Sequence, residues 1–427
     1  MAAAVSELSS VLPASAAIGP RGHLEIGGCD TLELAREFGT PAYLVDTEDL
    51  RERARTFLRE FRSRHENLDV LFASKAFPCT AVYRLLAQEG LACDVASGGE
   101  LHLALRGGFA VERIFLHGNA KSLAECREAI AAGVGHIVLD SFDDLERVSA
   151  AAAELGVRQR VLIRVTPGVA GDTHAAISTG QADSKFGFSV ANARVAIAAL
   201  RETPSIDLVG LHVHVGSQLL ELSPLREAVA EIGGLGEFPV YNLGGGLGVA
   251  YTAGMQAPTV AAYAEALIGA AHAALGSEPR LLIEPGRALV AQSAVTLYTV
   301  QTVKRNVSTW VAVDGGMSDN LRPMLYGARY EVLNAARPLA EPDTRCQVAG
   351  KHCESGDVLV RDALLPAPAP GDVLLTPVTG AYGYAMANNY NGVPRPPVIF
   401  CGGGRAEVVV RRETYHDLVA RDLGWGA

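Results

Sequence analysis

No Cys-x-x-Cys pair occurs in this 427-residue chain, and its seven cysteines, at 29, 79, 93, 126, 346, 353 and 401, are odd in number. Neither a disulfide framework nor a zinc site is indicated, and a reducing compartment is expected. No basic block tracks along the chain. The 37 Lys and Arg against 47 Asp and Glu give a net charge of −10, so nucleic acid is not an expected partner. Long apolar runs are also missing: the most apolar helical stretch, 260 to 275, carries Glu265 and His272 and is too short to span a bilayer comfortably. The Ala- and Ser-rich start lacks a basic segment followed by an uninterrupted apolar one. A loosely ordered tail, no export signal and a cytoplasmic protein are therefore expected.

What is present is alternation. After an early strand at 42 to 45, short β-rich runs begin near Val70, Leu91, Arg113, His136, Arg160, Leu208, Val240 and Arg280, with helix-like apolar spacing between most of them. Eight such repeats predict a (β/α)8 barrel of the α/β class. An open doubly wound sheet is disfavoured because a Gly-x-Gly-x-x-Gly turn does not follow the first strand. Beyond about 291 the runs 294–303, 309–313, 357–361, 372–375 and 407–411 predict a second, mainly β domain. The expected division is an N-terminal segment 1–45 joining that β domain, a barrel over 46–291, and the β domain over 292–427.

Polar residues fall where barrel strands end, which is where this fold places reactive groups. Lys75 closes Val70-Leu71-Phe72-Ala73-Ser74-Lys75, and Asp94, His117, Asn119, His212, His214, Gly244-Gly245-Gly246 and Glu284-Pro285-Gly286-Arg287 follow or end other strands. A lysine there either reaches solvent or forms an imine, which relieves the cost of burying its charge. The glycine triplet leaves backbone N–H groups uncovered for a phosphate, or is simply a turn. Glu284 suits a protonated ring nitrogen, or a salt bridge with Arg287. His214 and Ser217 could stack on a ring and bond its phosphate. A metal is not expected, since two histidines at i and i+2 with no obvious third ligand are weak evidence. Outside the barrel, Cys353-Glu354 could deliver a proton or be inert, and Arg322 with Tyr326 could clamp a carboxylate or be a surface pair. Lysine, glycines, acid and thiol together outline a pyridoxal-phosphate site.

Longer motifs make the chain recognisable. Phe72-Ala73-Ser74-Lys75-Ala76, 94–100, Ser184-Lys185-Phe186-Gly187, 212–217, 244–248 and 284–287 are followed by Asp314-Gly315-Gly316-Met317, 322–327, Cys353-Glu354-Ser355-Gly356-Asp357, Gly380-Ala381-Tyr382 and Asn389-Tyr390-Asn391. The chain resembles the fold-type III pyridoxal-phosphate decarboxylases, and among them the diaminopimelate decarboxylases. The resemblance runs nearly end to end. It implies that Lys75 carries the cofactor, His214 stacks on its ring and Glu284 pairs with its nitrogen. Asp94, Ser217, Gly244, Gly245, Gly246, Pro285, Gly286, Arg287 and Tyr382 complete the implied cofactor site. Arg287, Arg322, Tyr326, Glu354 and Tyr382 would surround the distal end of the substrate, and Cys353 would protonate the carbon that carbon dioxide leaves. The implied assembly is a homodimer in which Cys353 and Glu354 come from the second subunit. The implied reaction takes meso-2,6-diaminopimelate to L-lysine and carbon dioxide. Relatives acting on other amino acids or on carrier-bound amino diacids stand as the alternative, ahead of a racemase or a non-catalytic binding protein.

Overall fold

Residues 10–169 and 184–424 are described by the computed structural model. The tail expected at the extreme N-terminus falls largely outside them. Two compact units emerge: Arg51–Val249 with Ala257–Leu289, and Met1–Leu50 with Ala250–Gln256 and Val290–Ala427.

The first unit is a closed barrel of eight parallel strands. They are β1 (Leu68–Ala73), β2 (Ala92–Val95), β3 (Ile114–Leu116), β4 (His136–Leu139), β5 (Gln159–Thr166), β6 (Ile206–Val213), β7 (Val240–Asn242) and β8 (Arg280–Ile283). Each pairs with its neighbour in sequence, and β8 returns to β1 through Leu281–Leu68 and Ile283–Val70. Leu71, Ala92, Phe115, Val138, Leu162, Val240 and Leu282, from seven of the eight strands, fill one buried cluster. That is the packed interior expected of this architecture.

Local chemistry sets where the outer helices begin. Ser97, Ser122, Ser141, Ser189 and Thr259 each accept a backbone N–H at the start of the following helix, and Ser122 forms a full capping box with Glu125. Each cap satisfies an otherwise orphaned donor, worth about 1 kcal/mol. Gly108 and Gly133 end two of these helices in the left-handed region. Lys121 departs from the usual surface placement of lysine. It is buried, its Nζ lies 2.6 Å from Asp144 and donates to the Val138 carbonyl at 2.8 Å, tying the loop after β3 to the next βα unit.

The second unit is built on a sheet with the strand order 358–365, 344–349, 309–313, 294–305, 42–46, 398–402, 405–410. The strand Ala42–Asp46 therefore sits inside this sheet, antiparallel to Ala294–Arg305 and parallel to Val398–Gly402. All five of its residues are buried. Leu24 and Ile26 from a small N-terminal sheet pack with Leu44, Val295, Leu297, Leu375 and Ile399 in one core.

Elsewhere in this unit the buried Asp319 accepts the Tyr298 hydroxyl at Oδ1 and the Gly316 N–H at Oδ2. Burial pushes its carboxyl up to about 7, against the opposing pull of these donors. An unfolded aspartate titrates near about 4, so the folded state binds the extra proton between those limits. Its contribution is present in full below the lower limit and is lost as pH rises through the upper one. Asp319→Asn should show a smaller fall in melting temperature between about pH 4 and about pH 8 than the parent protein. Parallel melting curves across that range would contradict this.

Candidate active site

The strand ends of the barrel converge on one carboxylate. Glu284, just past β8, is buried, with Oε1 accepting from Asn242 Nδ2 at 2.6 Å. His117 Nε2 lies 2.9 Å from Oε1, and His212 Nε2 lies 3.3 Å from Oε2. Asn242 also accepts the Gly244 N–H at 3.0 Å, and Glu284 N–H donates to the Gly244 carbonyl at 2.8 Å. The glycine turn and the acid are thus held by the same amide side chain.

Charge follows from this geometry. Burial alone would push the Glu284 carboxyl up, but the two imidazoles pull it well below the usual carboxylate range. His117 is shifted up, because Glu284 and Asp94 outweigh its desolvation, whereas burial drives His212 down to about 4. Asp94, buried at the end of β2, rises to about 6 through desolvation, with Glu284 adding to the rise and His117 and Lys75 opposing it. Two carboxylates in one barrel mouth are therefore pushed in opposite directions.

The glycine turn follows β7. Gly244 and Gly246 have φ of +69° and +113°, and a Cβ on Gly246 would lie 2.5 Å from the Gly216 carbonyl oxygen. Only glycine fits so close to the neighbouring strand end. The Gly245 N–H donates to His214 Nδ1 at 3.1 Å, which leaves the ring proton on Nε2. Burial and the nearby Lys75 charge hold His214 well below its ordinary pKa, so the imidazole is neutral. Arg287 Nη2 donates to Ser217 Oγ at 2.8 Å, joining the ends of β6 and β8. Lys75 is exposed on the single 3-10 turn Ser74–Ala76 after β1. Gly286 packs against that turn: a Cβ there would lie 2.9 Å from the Ala73 Cβ, and the Pro285 carbonyl accepts the Ala73 N–H at 3.2 Å.

In the second unit, Arg322 is buried on the short helix Arg322–Tyr326, with Tyr326 at its end. Its guanidinium carbon lies 4.4 Å from the Tyr251 ring centroid, and Nη1 donates to the Tyr330 hydroxyl at 2.5 Å. Tyr382 is a non-glycine residue at φ +67°. Cys353 is exposed while the other six cysteines are buried. Its backbone N–H donates to Asn391 Oδ1 at 3.0 Å, and the neighbouring Glu354 accepts the Tyr390 hydroxyl.

Sequence reasoning placed His117 and His212 at strand ends without seeing that both meet Glu284. The ligating atoms of these three residues lie within 4.8 Å of one another, a cluster that includes His212 but not His214, the other member of the i and i+2 pair. The carboxylate is nonetheless engaged by the Asn242 N–H, an arrangement suited to holding a hydrogen-bonded cationic N–H. Asn242 and Arg164 were missed altogether. Arg164 on β5 lies 3.7 Å from Asp140, with its guanidinium carbon 4.3 Å from the Phe186 ring centroid. A charged residue inside the apolar run Leu162-Ile163-Arg164-Val165 was the available signal.

An ionised buried acid, a neutral imidazole, a lysine and a bare glycine turn, all at the mouth of one parallel barrel, match the donor set that pyridoxal phosphate requires. The class defined is the barrel-type pyridoxal-phosphate-dependent decarboxylases, and residues 47–291 match the family described as pyridoxal-dependent decarboxylase, pyridoxal binding domain. The diaminopimelate decarboxylase of Bacillus subtilis (strain 168) is 45% identical over 419 residues, covering 94% of this chain and 95% of the relative. That of Halalkalibacterium halodurans is 44% identical over 424 residues, covering 95% and 96%. The crystal structure of diaminopimelate decarboxylase from M. jannaschii in co-complex with L-lysine superposes with a TM-score of 0.90 at 35% identity, covering 96% of this chain and 98% of that one. The chain belongs to the diaminopimelate decarboxylase family.

Removing the His117 charge should raise the pKa of both Glu284 and Asp94. His117→Gln is expected to move the acid limb of the pH–kcat profile to higher pH. An unshifted limb in a folded, cofactor-loaded variant would rule out this electrostatic role.

Proposed function

We infer that the protein decarboxylates meso-2,6-diaminopimelate to L-lysine and carbon dioxide, the last step of lysine synthesis by the diaminopimelate route, with pyridoxal phosphate as cofactor. The observation that carries this is the end-to-end match, across barrel and β unit alike, to relatives of that activity. The substrate is a small amino acid. Among the described residues no helix is long and apolar enough to cross a membrane. We place the enzyme in the cytoplasm.

Bound pyridoxal phosphate supplies an electron sink for the pair left when carbon dioxide departs. The protein's own groups prepare that event. Glu284, held ionised by His117 and His212 and oriented by Asn242, keeps a proton on the ring nitrogen. Neutral His214 offers a flat face for stacking without a competing charge. Ser217, Gly244, Gly245, Gly246 and the chain at Pro285, Gly286 and Arg287 hold the phosphate, with Tyr382 completing that site. Lys75 is the point of attachment, and Asp94 lies close enough to feel its charge. Arg287, Arg322, Tyr326, Glu354 and Tyr382 receive the distal end of the substrate. A guanidinium held between aromatic rings is suited to a carboxylate, because its planar fork is preorganised. Cys353 returns the proton to the substrate carbon.

In this proposal 46–291 is the cofactor-binding barrel. Residues 292–427, joined by 1–45, form the domain that carries the substrate and proton-donor residues. The functional unit is a homodimer in which Cys353 and Glu354 serve the partner's site. Purified protein with pyridoxal phosphate and meso-diaminopimelate should release lysine and carbon dioxide in equal amounts. Lys75→Ala should abolish turnover, and Cys353→Ala should lower kcat by about 100-fold, the scale of a lost general acid. Cofactor absorbance without turnover on this substrate would overturn the assignment in favour of another amino acid or a carrier-bound amino diacid.

A further inference from the structure

The loop that carries Cys353 and Glu354 is exposed at its tip and buried at its base. Asp357 Oδ1 accepts the Met317 N–H at 2.7 Å, while Oδ2 accepts both the His352 N–H at 2.9 Å and His352 Nδ1 at 2.8 Å. Both side chains are buried. Because a carboxylate only accepts, the His352 proton is on Nδ1. Two glycines permit this approach: a Cβ on Gly350 would lie 2.2 Å from Asp357 Oδ2, and one on Gly316 would lie 2.6 Å from both carboxylate oxygens. The carboxylate thereby joins the loop of Cys353 to the 314–317 turn that leads to Arg322.

From this base the contacts run outward to the tip. The His352 ring stacks on Tyr390, with centroids 6.1 Å apart and planes 25° from parallel. Tyr390 donates its hydroxyl to Glu354, and the next residue, Asn391, accepts the Cys353 N–H. The orientation of an exposed thiol and an exposed carboxylate is thus set by a buried imidazole and a buried carboxylate. We propose that His352 and Asp357 are positioning residues for the Cys353–Glu354 pair, a role that rests on the reading of Cys353 as the proton donor. A mere hairpin clamp would affect stability alone. A positioning pair must also affect where the proton arrives.

The test compares His352→Ala, His352→Asn, Asp357→Asn and Cys353→Ala holoenzymes, each checked for fold by circular dichroism and for cofactor by absorbance. Asparagine places a donor near the position of Nδ1, so His352→Asn keeps the bond to Asp357 while losing the stack on Tyr390. His352→Ala and Asp357→Asn should lower kcat by about 10- to 100-fold, the cost of misplacing a reacting group by an ångström or so. KM should rise by a smaller factor than kcat falls, since Glu354 is among the groups that receive the distal end of the substrate while Cys353 acts only on the reacting carbon. His352→Asn should recover part of the loss. Run in deuterium oxide, the parent enzyme should deliver deuterium to one face of the carbon that lost its carboxylate, and the two variants to both. Iodoacetamide labelling of Cys353, the one thiol exposed on the single chain, should change in rate. Unchanged kcat, deuterium configuration and labelling in folded His352→Ala and Asp357→Asn, with Cys353→Ala impaired, would overturn the positioning role alone. Full activity and stereospecificity in Cys353→Ala would instead remove the proton-donor reading and this role with it. Should Asp357→Asn fail to fold, His352→Ala and His352→Asn decide the question.

Discussion

A carboxylate taken out of water must either accept a proton or be offset by nearby donors and imidazoles, and Glu284 has one amide donor and two imidazoles within 3.3 Å. Losing its hydration costs several kcal/mol for an ionised group left unpaired. Two imidazoles and one amide from three other strand ends offset that cost. His117, His212 and Asn242 are separated by long stretches of chain and meet only because β3, β6 and β7 are staves of one closed cylinder. The acid's ionisation therefore depends on barrel closure. The glycine turn depends on it too, since Asn242 orients both the carboxylate and the Gly244 backbone.

Around that centre the barrel mouth separates charge states that simple pKa values would make alike. Asp94 and Glu284 are both buried acids, yet one is raised to about 6 and the other depressed. The difference lies in the number of cationic or donating partners each reaches. The histidines differ in the same way, with His117 raised by two nearby acids and His212 and His214 made neutral by burial. A neutral ring can stack where an imidazolium would compete with the ring nitrogen for negative charge. The β unit solves a related problem differently: it leaves Cys353 and Glu354 exposed and buries the groups that orient them.

Much of the architecture was legible because strand and helix periodicities are local. The eight barrel strands begin within about two residues of the positions read from apolar patterning, well inside the usual uncertainty of such boundaries. Serine and threonine at helix starts are equally local signals. Several strands of the β unit escaped notice, among them Thr344–Ala349, whose alternation is only six residues long, and Val398–Gly402, a short apolar run directly after a proline-rich turn. Arg164 and Asn242 escaped too. Each is an ordinary polar residue until its partner on another strand is known, and Lys121 reads as a surface lysine until Asp144 is found beside it. His352 and Asp357 were noticed only as neighbours of the cysteine.

The order of motifs along the chain was enough to determine the barrel class, the cofactor chemistry and the family, because these depend on residue type and spacing. What the tertiary structure alone decided is which of those residues share a proton or a charge. Burial and Coulomb interaction depend on distances between strand ends far apart in sequence, and no spacing along the chain encodes those distances.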